Sequence, residues 1–208
     1  MRMTWCGGMP ILIGVAMAAG LLAQTTRTTL AHASARGLVT VSVSGTGASS
    51  GDSVKVRVAR RSKAGPGNLA LTVPPGTRLA SADAGAQNMV VAGVRGRMTG
   101  PSSYHPSSEI VVSGTTPATY LLEAYCADFE RDNPSGDTRF SVGRPDPVLA
   151  CILKRAAPLS VAGIQAAVWI HTDKVTYDHM SEKFPVSAAD FRKAQAVVRQ
   201  CASGTEVR

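Results

Sequence analysis

The chain has 208 residues, 44% apolar and 17% charged, with 22 Lys and Arg against 14 Asp and Glu for a net charge of +8. That length carries one domain with a real core and does not require two. The positive charge is scattered. Arg57, Arg60, Arg61 and Lys63 form its one dense cluster, and no aromatic residue alternates with them. A nucleic-acid surface, which needs both a basic stripe and stacking platforms, is therefore not expected.

At the N-terminus Arg2 precedes an apolar run from Met9 to Ala23, interrupted by Pro10, Gly14 and Gly20, and Ala31-His32-Ala33 then has the small-x-small pattern of a signal peptidase site. The pattern predicts a signal peptide over residues 1–33 and a secreted, extracytoplasmic product over 34–208. Cys6 precedes the run without a lipoprotein site. Removing 1–33 takes away Arg2 and Arg27 and no acid, which lowers the net charge from +8 to +6. No later segment is long and apolar enough for a membrane span in the mature chain.

From Gly37 to Cys126 the apolar residues alternate with period two. Val39, Val41 and Val43 come first, then Val54, Val56 and Val58, then Leu69, Leu71 and Val73. Runs at 88–94, 109–112 and 118–126 follow, separated by Gly, Pro and Ser clusters. Six short strands are predicted. In the last, Tyr120, Leu122, Ala124 and Cys126 share the inward face.

Beyond Cys126 the pattern turns helical. Asp146 can cap a helix opening at Pro147, Ser160 can cap a second reaching about Ile170, and Ser187-Ala-Ala-Asp190 resembles a capping box opening a third to about Cys201. His171 to Met180 reads as a polar loop. The predicted class is α+β: an N-terminal antiparallel β-sandwich or partly open barrel (34–126, mainly β), followed by a small helical subdomain of about three helices (127–208).

Three cysteines lie beyond residue 33. Cys151 and Cys201 fall on the apolar stripes of neighbouring helices and are candidate disulfide partners, which leaves Cys126 unpaired. A Cys126–Cys151 bridge is the competing connectivity.

Every residue from Val161 to Ile170 except Gln165 is apolar or glycine, so Gln165 is expected to be buried and to need partners. One way to satisfy it is a hydrogen bond to the backbone of the sheet. The other is condensation with Cys126, which expels ammonia and leaves an internal thioester. Tyr125-Cys126-Ala127-Asp128 followed by Ile164-Gln165-Ala166-Ala167-Val168-Trp169 resembles the paired motifs of the thioester domains of bacterial surface proteins, with Ile164 and Ala127 departing from the residues common there. The resemblance covers Tyr120 to Asp173. It implies an adhesin-like module that captures an amine-bearing surface protein or polymer through a Cys126–Gln165 thioester, without cofactor or metal. Such a bond reacts once, so no turnover is expected of it.

His171, at the end of the same helix, is the nearest candidate base. The alternative is an exported, non-catalytic binding or structural domain in which Cys126 is buried or disulfide-bonded. Two further readings rank below these: a cysteine hydrolase using His171 or His179 with Asp173 or Asp178, and a metal held by those four residues.

Overall fold

The computed structural model describes residues 25–61 and 67–203. The predicted signal sequence up to Gln24, Cys6 and the Lys63 end of the basic cluster lie outside the described residues.

The described residues form ten strands and five helices: β1 (Thr25–Thr29), α1 (Leu30–Ala35), β2 (Val39–Gly45), β3 (Ser50–Arg60), β4 (Asn68–Thr72), β5 (Thr77–Ser81), β6 (Met89–Met98), β7 (Tyr104–Pro106), β8 (Ile110–Val112), β9 (Ala118–Cys126), β10 (Arg139–Pro145), α2 (Pro147–Ala156), α3 (Val161–Thr172), α4 (Tyr177–Lys183) and α5 (Ala188–Ser203). Hydrogen bonding runs β5-β10-β2-β3-β9-β6 and returns from β6 to β5, with β7 added at the side of β6. The result is a closed, six-stranded antiparallel barrel. A second sheet, β1-β4-β8, lies beside it, with β1 parallel to β4.

The α+β class follows the sequence pattern, and so does the order of a β part followed by helices. Closure comes from β10, which the sequence pattern does not reveal. It lies after Cys126, in the part expected to be mainly helical, and enters between β5 and β2. Of its residues only Phe140 is buried, so no period-two signal announces it. Closure leaves the six barrel strands without a free edge among themselves.

The valine alternation of β2 and β3 does what period two requires. Val43, Val54, Val56 and Val58 fill the interior with Leu79, Met89, Val91, Leu122 and Ala124. Tyr120 is buried and ties the barrel to the second sheet, because its hydroxyl donates to the Val111 carbonyl at 2.8 Å and accepts from the Val111 N–H at 3.1 Å.

The helix caps are where the sequence places them. Asp146 Oδ1 accepts from the N–H groups of Val148 and Leu149, and Pro147 occupies the first turn. Ser160 Oγ accepts from Gly163 N–H at 3.0 Å, and Ser187 Oγ accepts from Asp190 N–H at 3.0 Å. The loop read as polar contains α4, capped by Thr176. Gly76 is essential where the barrel meets α2. Its φ is +82°, and a Cβ there would collide with the Asp146 carbonyl oxygen and stand 2.8 Å from the Ala150 nitrogen.

α3 is the central helix. It packs against α2, α5 and the end of β9, with Gly163 to Trp169 buried. Cys151 on α2 and Cys201 on α5 are joined by a disulfide, with a Cα–Cα separation of 5.8 Å. Residues 25–35 are built into the fold. β1 pairs with β4 along all five of its residues, and Leu30 and Ala33 are buried at 2% and 0% exposure.

Candidate functional site

Cys126 ends β9 and Gln165 sits in the second turn of α3, and the fold brings the two together. Both are fully buried. The contact runs through the carboxamide and the main chain. Gln165 Oε1 accepts from Cys126 N–H at 3.0 Å, and Gln165 Nε2 donates to the Cys126 carbonyl at 2.7 Å. The Cys126 N–H is shared with the Ser49 carbonyl at 3.2 Å. The side-chain amide lies against the Cys126 backbone much as a neighbouring strand would, extending the hydrogen bonding where β3 begins.

The thiol turns elsewhere. Cys126 Sγ donates to Met89 Sδ at 3.4 Å, on β6. Burial, with a smaller contribution from the Asp128 carboxylate, pushes the thiol up from 9.0 to about 12. At neutral pH the sulfur is protonated, and the thiolate is the nucleophilic form. No histidine is among the hydrogen-bond partners of Cys126.

The geometry corrects the thioester reading. The nitrogen that condensation would expel makes the shorter of the two amide hydrogen bonds, Cys126 is a free buried thiol, and the cysteines that do bond are Cys151 and Cys201. The adhesin-like capture of amines through Cys126–Gln165 falls with it. Gln165 takes the plainer course of satisfying its amide on the sheet backbone.

The other sequence candidates are dispersed. His171 is partly buried near Lys174, Asp146 and Arg78. Desolvation and then Lys174 lower its pKa, and no hydrogen bond joins it to Cys126 or Gln165. His179 pairs instead with Glu130 at 3.0 Å, beside Lys183, and meets the Phe129 ring edge-on. Among the described residues no three His, Cys, Asp or Glu side chains gather as metal ligands would.

Sequence reasoning missed Gln87, a carboxamide only 2% exposed in the loop before β6. Its Oε1 accepts from Trp169 Nε1 and from Asp128 N–H, each at 3.3 Å, and its Nε2 donates to Asn133 Oδ1 at 3.4 Å. Asp128 Oδ2 in turn accepts from Asn88 N–H at 2.7 Å. Two carboxamides and a carboxylate thus stitch the end of β9, the loop before β6 and α3 together. No buried side-chain nitrogen or oxygen among the described residues is left without a partner.

Two hollows flank this junction. A cleft of about 880 Å3 opens between the barrel wall and α2, lined by Arg95, Glu123, Tyr125, Leu153, Lys154 and Ile164 among others. Tyr125 donates to Glu123 Oε1 at 2.6 Å, and Arg95 bridges Glu123 and Asp52. Burial, and then Glu123, raise the tyrosine pKa. A smaller hollow of about 210 Å3 lies over Trp169, with Gln87, Phe129 and Phe184 in its wall.

The raised pKa of Cys126 has a consequence for stability. Above about pH 9 the unfolded chain releases this proton while the native state keeps it, so the unfolded state binds fewer protons and stability falls as pH rises. The expected slope is about 1.4 kcal/mol per pH unit, continuing towards about pH 12, with Tyr125 adding to it above pH 10. Urea unfolding of Cys126→Ala from pH 8 to 10 is expected to show a flatter decline than wild type. Parallel declines would mean that the native thiol ionises normally.

No family profile, curated protein or solved structure matches the chain.

Proposed function

We propose that the chain is an exported, non-catalytic binding domain in which Cys126 is a buried structural thiol and the ligand surface is the cleft between the barrel and α2. The observation that carries the reading is the hydrogen bonding of both ends of the Gln165 carboxamide to the Cys126 backbone, with the free thiol buried and turned to Met89. On this reading the likeness to thioester domains is confined to the two short motifs around Cys126 and Gln165 and carries no bond between them.

The cleft supports the binding half. Its volume lies in the usual range for ligand sites, and its floor of Leu153, Ile164 and small or proline side chains is apolar. The charges of Arg95 and Glu123 are already engaged with neighbours, whereas Lys154 has no ion-pair or hydrogen-bond partner among the described residues. That combination suits a ligand with an apolar body and an anionic group.

The test has two arms. Incubation with methylamine is expected to leave the intact mass unchanged, and a methylamine adduct on Cys126 or Gln165 would defeat the reading. The dye 8-anilinonaphthalene-1-sulfonate, which is apolar with one sulfonate, is expected to bind the folded protein saturably. Lys154→Glu should weaken it about fivefold, corresponding to about 1 kcal/mol for an exposed charge contact. Absent binding, or binding indifferent to Lys154, would count against the cleft.

A further inference from the structure

We infer that the leader is cut upstream of Thr25, after Gly20, and that the Ala31-His32-Ala33 motif is not a processing site. The inference rests on the export reading and concerns which segment the mature protein keeps.

β1 forms five residue pairs with β4, from Thr25 opposite Asn68 to Thr29 opposite Thr72. Thr29 then caps α1, its Oγ1 accepting from His32 N–H at 3.1 Å. The suspected motif is therefore helical, with Leu30 and Ala33 in the core and the Leu38 N–H donating to the Ala33 carbonyl at 2.9 Å. A cut after Ala33 would strip β4 of one neighbour, expose Leu69 and Leu71 from that side, and remove two buried side chains at once. Signal peptidases act on unfolded chain, so burial does not protect this motif. The argument is that the folded protein needs what the cut would discard.

Upstream, Ala18-Ala19-Gly20 supplies small residues at the positions three before and one before a scissile bond, after the first nine residues of the apolar run that begins at Met9. Hydrolysis there adds water across the Gly20–Leu21 peptide bond. The hydroxyl goes to the Gly20 acyl carbon, giving a carboxylate, and the hydrogen goes to the Leu21 nitrogen, giving the new amino terminus.

The experiment expresses the full chain in an exporting bacterium and reads the N-terminus of the released product by mass spectrometry. A start at Leu21, unchanged in Ala31→Glu but blocked or displaced in Gly20→Leu, is the expected result. A start at Ser34, or a product that retains its leader, would overturn the inference. A second measurement is independent of peptide mapping. Leu30→Ala is expected to lower the Tm of the exported protein by roughly 5–15 °C. If residues 1–33 were absent from that protein the substitution would be silent.

Discussion

Gln165→Leu is expected to cost about 2–4 kcal/mol of stability, whereas Cys126→Ala, at the other half of the same contact, costs only about 1–2 kcal/mol. The asymmetry follows from which atoms meet. Gln165 holds the Cys126 N–H and carbonyl, so removing the carboxamide takes a partner from the buried carbonyl and leaves the N–H with the longer bond to Ser49. Removing the sulfur loses only its packing against Met89. Leucine keeps most of the volume of glutamine, so the loss reports hydrogen bonding and not a cavity. Chemical denaturation of the two variants checks it. Equal losses would mean that the sulfur, and not the main chain, is the group that Gln165 engages.

The second large effect belongs to the disulfide. Cys151 and Cys201 are 50 residues apart in sequence, and closing a loop of that length in the unfolded chain is worth about 4 kcal/mol in the chain-entropy account. The double variant Cys151→Ala/Cys201→Ala is expected to melt roughly 8–16 °C lower. The bridge joins α2 to α5, both of which pack on α3, so the loss should be felt at the Gln165 contact. Amide exchange at Cys126 is the local readout. A double variant with unchanged melting would show that helix packing alone secures the cap.

Local chemistry made much of this legible in the sequence. Asp146, Ser160 and Ser187 mark helix starts because a cap depends on residues within one turn. The valines of β2 and β3 show their faces because period two needs no knowledge of the partner strand. Gln165 stands out as the only amide in an apolar helix, and its meeting with the end of β9 could be foreseen.

What the amide does there could not. The direction of the Cys126 sulfur depends on Met89, and so on the register of β6 against β9, which no local pattern encodes. Gln87 is hidden for the same reason. It sits in an ordinary Gly85-Ala86-Gln87-Asn88 loop and acquires its importance from Trp169, 82 residues away in sequence. β1 and α1 carry no signal of their own in a stretch whose Ala31-His32-Ala33 also fits a peptidase site.

The placement of β10 has a bearing on how the polypeptide acquires its shape. Because residues 139–145 sit between β2 and β5, a nascent chain that has reached only Cys126 holds two unsatisfied strand rims facing each other across a gap. Such rims invite pairing with other molecules. The N-terminal two-thirds is thus no autonomous unit, and the last stave of the cask arrives from the same stretch of chain that leads into the first helix of the lid. Assembly of the wall and seating of the lid are, by that connectivity, successive steps of one event.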